Sequence, residues 1–201
     1  MTLKPALNPL MTSVHDLMDY ASVKPEHVAP AIETLLERAR AAIEAAADPA
    51  LPATWQDIIT PLDDATEPLW RAWSVVGHLK SVVNTPELRQ AYNDMLGPVS
   101  EFATSVGLHE GLYKQFERLA NSPDFAQWPD VRKRVIELAL RDFKLSGVQL
   151  QGEAKTRFAE LSERQSQVSQ KFAENVLDAN DAWSLVLDNV AELGGVPGDV
   201  I

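Results

Sequence analysis

The stretch from Gln151 to Leu187 limits the fold more than any other, because its apolar residues keep a helical period over about ten turns. Residues spaced by three, four or seven positions lie along one side of an α-helix. The apolar positions are Ala154, Phe158, Leu161, Val168, Phe172, Val176, Ala179, Trp183 and Leu187. Gln165 alone interrupts them, and charged or amide side chains occupy much of the remaining circumference. The pattern predicts a long amphipathic helix whose apolar side packs against other helices.

The chain before this stretch carries start and stop signals that divide it into further helices. A capping hydroxyl or a first-turn proline followed by an acidic residue is typical of a helix N-terminus. Such starts stand at Pro25-Glu26, Thr54 to Asp57, and Thr85-Pro86-Glu87. Breaks stand at Asp48-Pro49, Asn121-Ser122-Pro123 and Gly147. Short connections between long helices, without β-hairpin turn signals, predict an all-α bundle of long antiparallel helices.

Two of these helices allow more detailed predictions. Pro61 and Pro68 each remove a backbone hydrogen bond, so residues 55–83 are predicted to form a kinked helix or two shorter ones. Trp70 and Trp73 lie there, and we expect both rings to be buried against a neighbouring helix. In a further helix over about 129–145, the residues predicted near its faces are Val131, Val135, Leu138, Ala139, Asp142 and Phe143.

Composition excludes several classes of protein. The 201 residues contain no cysteine, which excludes a disulfide framework, a CxxC redox site and a thiolate zinc site. The 18 Lys and Arg against 29 Asp and Glu give a formal net charge of −11, which opposes binding to phosphate backbones or anionic lipid. No secretory signal pattern opens the chain, and no stretch reaches the length of a membrane span. We therefore expect neither a nucleic acid nor a membrane as a partner.

The segment His109-Glu110-Gly111-Leu112-Tyr113 begins like the HExxH motif of zinc proteases. That motif needs a second imidazole at its fifth position, where this chain has Tyr113. Glycine at positions 107 and 111 also disfavours a rigid helical platform for a metal. We interpret the segment as a helix junction.

The other titratable candidates also have ordinary structural interpretations. The remaining histidines are His15, His27 and His78. They lack a ligand partner at helical spacing, and His78 is predicted to be a partly buried, hydrogen-bonded imidazole. The acidic cluster of Asp63, Asp64 and Glu67 is interpreted as a solvated helix face. With no Gly-rich phosphate loop, GxSxG elbow or Cys nucleophile in the sequence, we assign no catalytic, cofactor-binding or metal-binding residue to this chain.

Five segments carry a family resemblance. They are Val23-Lys24-Pro25-Glu26-His27-Val28-Ala29-Pro30-Ala31-Ile32, Ser81-Val82-Val83-Asn84-Thr85-Pro86-Glu87-Leu88-Arg89, Gly107-Leu108-His109-Glu110-Gly111-Leu112-Tyr113, Leu140-Arg141-Asp142-Phe143-Lys144-Leu145-Ser146-Gly147-Val148 and Phe172-Ala173-Glu174-Asn175-Val176-Leu177-Asp178-Ala179. In this order and approximate spacing they resemble the N-terminal region of the thimet oligopeptidase family of zinc metallopeptidases, oligopeptidase A type. The resemblance implies a helical domain that forms one wall of a deep channel over a zinc catalytic domain.

The zinc motif of such enzymes lies in their later half, and nothing in this chain supplies it. The last residues, 193–201, have the pattern of a turn followed by the first residues of a helix, so we expect a fragment of a longer peptidase. The resulting organisation is an extended arm over 1–23, a helical N-terminal domain over 24–190, and over 191–201 the start of a connection to an absent catalytic domain.

The expected function is that of the N-terminal domain of a cytoplasmic, zinc-dependent oligopeptidase that hydrolyses short peptides. Zinc and catalysis would belong to the longer enzyme, and this chain alone would be inactive. Its partners would be short peptide substrates and, within the same polypeptide, the catalytic domain. Two alternatives remain: a free-standing helical module that binds a partner helix, and a domain of a relative that has lost its catalytic motif.

Overall fold

The helix signals of the sequence correspond to six α-helices in a computed structural model that describes residues 8–13 and 15–198. The helices are α1 Pro25–Ala46, α2 Thr60–Val82, α3 Pro86–Gly107, α4 Glu110–Ala120, α5 Asp130–Leu145 and α6 Gly152–Asp181. Short 3-10 helices complete the secondary structure of these residues together with one π-helical turn at Trp55–Ile59, and the described ranges contain no β-strand. The predicted all-α fold is confirmed.

The chain forms two compact units, one ending at Gln167 and the other beginning at Val168. In the first unit α1 packs against α2, α3 and α4, and α4 packs against α5. The buried side of α1 carries Val28, Ala31, Ile32, Leu35, Leu36, Ala39, Ile43 and Ala46. Each fully buried Leu, Ile or Val contributes roughly 1.5–3 kcal/mol of hydrophobic free energy, so α1 is the centre of the core.

The predicted helix starts are present as hydrogen bonds. The Thr54 hydroxyl accepts the backbone N–H of Asp57 at 3.1 Å, and the Thr85 hydroxyl accepts that of Leu88 at 3.3 Å. The π-helical turn leads directly into α2, which has Pro61 in its first turn and continues through Pro68. The change from π-helix to α-helix therefore falls next to Pro61, and α2 is continuous from Thr60 to Val82 although it contains Pro68.

The end of α5 is closed by Gly147, as predicted. Its φ of +83° lies in the left-handed region that favours glycine. The Gly147 N–H donates to the carbonyl of Lys144 and the Val148 N–H donates to that of Phe143, both at 3.1 Å. These two bonds form a Schellman motif, which satisfies carbonyls that the helix end would leave open.

The predicted burial of both tryptophans holds in part for Trp73, which is half-buried against the core, and is wrong for Trp70. The Trp73 ring stacks on Tyr92 with the ring centroids 4.4 Å apart. Trp70 is 41% exposed, with its ring 6.0 Å from that of Phe102. The structure therefore places Trp70 at the edge of the core, where the side chain is partly open to solvent.

The predicted faces of α5 need a similar correction. Val131 and Val135 are 76% and 43% exposed, whereas Ile136, which the sequence prediction omitted, is fully buried together with Phe143. The reason is that α5 packs mainly against α4. Only the side that contains positions 136 and 143 meets that neighbour, and the period of the apolar residues does not identify which side this is.

The long final helix is confirmed over Gly152–Asp181, but its predicted packing is wrong. The exposed apolar side chains along it are Leu161, Val168, Phe172 and Val176. Phe172 is 70% exposed. Trp183 and Leu187 follow the end of the helix and are exposed as well. We refer to Leu161, Val168, Phe172 and Val176 as the α6 stripe.

The predicted N-terminal arm is described from residue 8, with Val14 excepted. Leu10 is buried in the core, and the Asn8 side-chain amide donates to the carbonyl of His27 at 2.8 Å. The Arg71 guanidinium donates to the carbonyls of Ser13, at 2.6 Å, and Asp16. The predictions for residues 1–7, 14 and 199–201 lie outside the described residues, and the boundaries 1–23, 24–190 and 191–201 stay predictions.

Candidate functional site

His109 is the N-cap of α4. Its Nδ1 accepts the backbone N–H of Leu112 at 3.1 Å, so the neutral ring carries its proton on Nε2. That Nε2 lies 3.3 Å from the Glu44 carboxylate on α1. Both ring nitrogens are therefore engaged, one with the helix end and one with a neighbouring helix, which agrees with the interpretation of a helix junction.

The next two titratable residues of the segment also make structural contacts. The Lys155 ammonium donates to the Glu110 carboxylate at 3.0 Å, and this hydrogen bond with its charge lowers the pKa of Glu110. The ring of Tyr113, at the fifth position of the segment, packs edge to face against Phe143 at a centroid distance of 5.9 Å. Hydrogen bonding to Glu117 and then burial raise the pKa of Tyr113. A phenol in that packed position stands where the zinc motif needs an imidazole.

The other histidines lie apart from this junction. His15 is exposed, and the Nδ1 of His27 accepts the backbone N–H of Lys24 at the start of α1 at 3.1 Å. The prediction for His78 is wrong with respect to burial, because His78 is exposed with its ring edge to face against Tyr20 at 5.7 Å.

The acidic cluster of α2 is exposed at Asp63, Asp64 and Glu67, in agreement with a solvated face. Partial burial, followed by the charge of Asp64, raises the pKa of Asp63. The ionised form of Asp63 is thus less favourable in the folded chain than in water, and a nearby cation would offset this.

The zinc ion implied by the resemblance does not fit the residues described here. Within residues 8–13 and 15–198, no group of three or more His, Asp or Glu residues is placed to hold a metal ion. His109, the residue that begins like a zinc ligand, uses Nδ1 as a helix cap and faces Glu44 with Nε2. We derive no chemical step through zinc at this chain.

A polar pair on α4, the buried Gln115 and the exposed Arg118, was not predicted from the sequence. Gln115 is 1% exposed, and its side-chain amide donates to the carbonyl of Asp48 while its oxygen accepts from Arg118. Arg118 also donates to the carbonyls of Pro49 and Leu51, both at 3.0 Å. The pair fixes the connection after α1 to α4. The three-residue spacing on one helix signals that the two side chains meet, but not which loop they bind.

A pocket of about 350 Å³ lies among α1, α2, α3, α4 and α5, and we call it the aromatic pocket. Four rings line it: Trp70, Phe102, Phe116 and Phe143. The three phenylalanines are buried, whereas Trp70 and the lining residue Ala103 are exposed and mark the opening to solvent. Its lining also includes the Asp142 carboxylate. No local sequence pattern indicates this pocket, because its walls come from five separate helices.

A comparison with protein families identifies the chain. Residues 32–155 match the family model described as the neurolysin/thimet oligopeptidase N-terminal domain. The chain belongs to this family. The match covers α2 to α5, most of α1 and the first residues of α6, and therefore includes the His109 junction and the aromatic pocket.

Curated relatives of this family member include three bacterial proteins named oligopeptidase A. The chain is 42% identical to that of Haemophilus influenzae over 191 residues, 40% to that of Salmonella typhimurium and 39% to that of Escherichia coli over 190 residues. Each comparison covers 94% of this chain but only 28% of the relative. The chain thus corresponds to the N-terminal domain of an oligopeptidase A-type peptidase. Among the described residues, no helix is long and apolar enough to cross a membrane.

Proposed function

We propose that this chain is the N-terminal helical domain of a zinc-dependent oligopeptidase that hydrolyses short peptides, and that it forms one wall of the substrate channel. The observation that carries the proposal is the match over 94% of this chain to 28% of three proteins named oligopeptidase A. On this proposal, the zinc and the catalytic groups belong to the part of the enzyme outside this chain. The proposal also places the enzyme in the cytoplasm.

The exposed apolar surface of α6 supports the proposal. Within that helix, Val168, Phe172 and Val176 follow one another at intervals of four residues, and all three are exposed. A row of large apolar side chains on one side of a helix is typical of a surface that packs against another element. In the proposed enzyme the catalytic part would cover this surface, and the helices would restrict the channel to flexible, narrow substrates.

A chimeric enzyme tests the proposal. The matched N-terminal part of the Haemophilus influenzae oligopeptidase A is replaced by this chain, and cleavage of a short unstructured peptide is compared with cleavage of a folded protein that contains the same peptide sequence. We expect the chimera to cleave the peptide and to leave the folded protein intact. The intact relative is the positive control, and the relative without its N-terminal part shows what the domain contributes.

Two outcomes would overturn the proposal. One is a chimera that is folded by circular dichroism and has no peptidase activity while the intact relative is active. The other is a chimera that cleaves the folded protein as rapidly as the free peptide. The chain alone, supplied with zinc, should leave the reporter peptide uncleaved, and turnover that is abolished by a chelator would show that the catalytic groups lie within it.

A further inference from the structure

The aromatic pocket is a candidate binding site that the His109 junction and the channel-wall proposal leave unused. Its volume of about 350 Å³ falls within the usual range of ligand sites. Three of its rings, Phe102, Phe116 and Phe143, are fixed by burial in the core, whereas Trp70 is 41% exposed. The pocket therefore combines a rigid apolar floor with one ring that a ligand can cover from solvent.

We propose that the aromatic pocket binds an aromatic side chain of an oligopeptide that carries basic residues next to that side chain. The proposal rests on the proposed function, because peptides are the ligand class of the enzyme. Aromatic rings gain additional free energy when they meet other rings edge to face or offset, and the pocket offers four such partners. An aromatic side chain would thus bind better than an aliphatic side chain of similar area.

The pocket wall offers one carboxylate oxygen to a basic side chain beside the ring. Asp142 lies in the pocket wall with a side chain that is 60% exposed, and one of its oxygens, Oδ1, accepts both hydrogen bonds from Arg141, at 2.9 and 2.7 Å. Its second oxygen takes part in neither of these two bonds and can accept from a ligand.

Two more carboxylates lie on α2 outside the pocket lining. Asp63 and Glu67 precede Trp70 by seven and three residues, so they lie on the same side of α2 as the indole. The partial burial that raises the pKa of Asp63 makes its ionised form less favourable, and a basic side chain placed beside it would reverse this effect. A peptide with flanking lysines would bring one basic side chain to Asp142 in the pocket wall and could bring the other toward these two exposed carboxylates of α2.

Calorimetric titration of the 201-residue chain with three blocked tripeptides tests the proposal. The peptides are acetyl-Lys-Phe-Lys-amide, acetyl-Lys-Ala-Lys-amide and acetyl-Asp-Phe-Asp-amide. We expect the Kd of the first peptide to be lower than that of either other peptide by about ten-fold or more. The alanine peptide lacks the aromatic ring, and the aspartate peptide lacks the basic side chains. Binding should also shift the indole N–H resonance of Trp70 in NMR spectra, assigned with a Trp70→Phe variant.

Two variants locate the binding to the aromatic pocket. Ala103→Trp places a large ring in the exposed pocket wall and should weaken binding of the Lys-Phe-Lys peptide about ten-fold or more. Ala41→Trp makes the same change at an exposed position of α1 outside the pocket and should leave binding unchanged. Asp142→Asn should weaken binding of the Lys-Phe-Lys peptide several-fold and leave a blocked, uncharged phenylalanine unaffected.

Several results would overturn the proposal. They are equal binding of the phenylalanine and alanine peptides, or undiminished binding to a folded Ala103→Trp chain. Binding of benzylamine as tight as that of the peptide would indicate a site for small amines, and a dimer lost in Ala103→Trp would indicate a second copy of the chain. If Ala103→Trp does not fold, the test is Asp142→Asn, and undiminished binding of the Lys-Phe-Lys peptide to that variant would overturn the proposal. Since no cleavage is measured, failure here is separate from failure of the chimera.

Discussion

Replacing Gln115 with leucine tests whether the polar pair of Gln115 and Arg118 holds α4 to the connection after α1. The change keeps a side chain of similar size in a site that is 1% exposed, so it removes hydrogen bonds with little change in packing. The lost bonds are those to the carbonyl of Asp48 and from the Arg118 guanidinium.

The expected loss follows from the two hydrogen bonds. A neutral bond contributes about 0.5–1.5 kcal/mol, and a bond to a charged group contributes about 1.5–3 kcal/mol. Arg118 is largely exposed, so water replaces part of its contribution, and we expect a total loss of about 2 kcal/mol. For a domain of this size, that corresponds to a fall in Tm of about 4–8 °C.

Thermal and urea unfolding followed by circular dichroism measure this loss. The matched control is Gln127→Leu, which makes the same change at an exposed position and should alter the free energy of unfolding by less than about 0.5 kcal/mol. Arg118→Ala combined with Gln115→Leu should lower stability by less than the sum of the single changes, because the two residues share one bond. Equal stability of Gln115→Leu and the parent chain would refute the reasoning.

Three further predictions concern the helix ends and a helix interior. His109→Ala should lower the free energy of unfolding in urea by about 1 kcal/mol. His109→Asn keeps a capping acceptor and should retain most of the stability of the parent chain. An equal loss in the two variants would contradict the role of His109 as the helix cap. The hydrogen bond and charge of Lys155 lower the pKa of Glu110 from its ordinary value of 4.5, so their pair stabilises the chain above about pH 4.5. This contribution is lost as the pH falls through the lower folded-state pKa. Glu110→Gln should therefore reduce the acid dependence of Tm, and an unchanged profile would contradict the ion pair. Gly147→Ala should destabilise the chain by about 1 kcal/mol, because φ at this position is +83°. Gly77 lies in a helix interior where a Cβ would make only an ordinary contact with Tyr92, so Gly77→Ala should stabilise the chain by about 0.5–1 kcal/mol. The opposite order of the two variants in thermal unfolding would refute this.

The local signals of the sequence predicted helix ends accurately because each depends on neighbouring residues. Thr54 and Thr85 cap the turns that follow them. At the end of α5, the Gly147 N–H donates to the carbonyl of Lys144 and the N–H of the next residue donates to that of Phe143. The backbone groups involved lie within five residues of one another. Such contacts form with little dependence on the rest of the fold, so the sequence specifies them directly.

Burial was predicted less well because it depends on which element lies opposite. Val131 and Val135 keep the apolar period of α5, yet the side that contains Ile136 faces α4. Similarly, Gln115 binds the carbonyl of a residue 67 positions earlier in the chain, a pairing that no local spacing indicates. The aromatic pocket has the same origin, since its walls come from five helices.

The α6 stripe shows why a correct helix prediction can accompany a wrong prediction of its packing. An amphipathic period identifies a surface that is suited to burial, but it does not identify the element that covers it. The chain spans only 28% of the oligopeptidase A relatives, and the exposed stripe includes Phe172 at 70% exposure. Both facts have one explanation under the proposed function, because the covering surface then belongs to the catalytic part of the same enzyme. A free-standing module would instead need a separate partner for the same surface, and the chimera distinguishes these two interpretations.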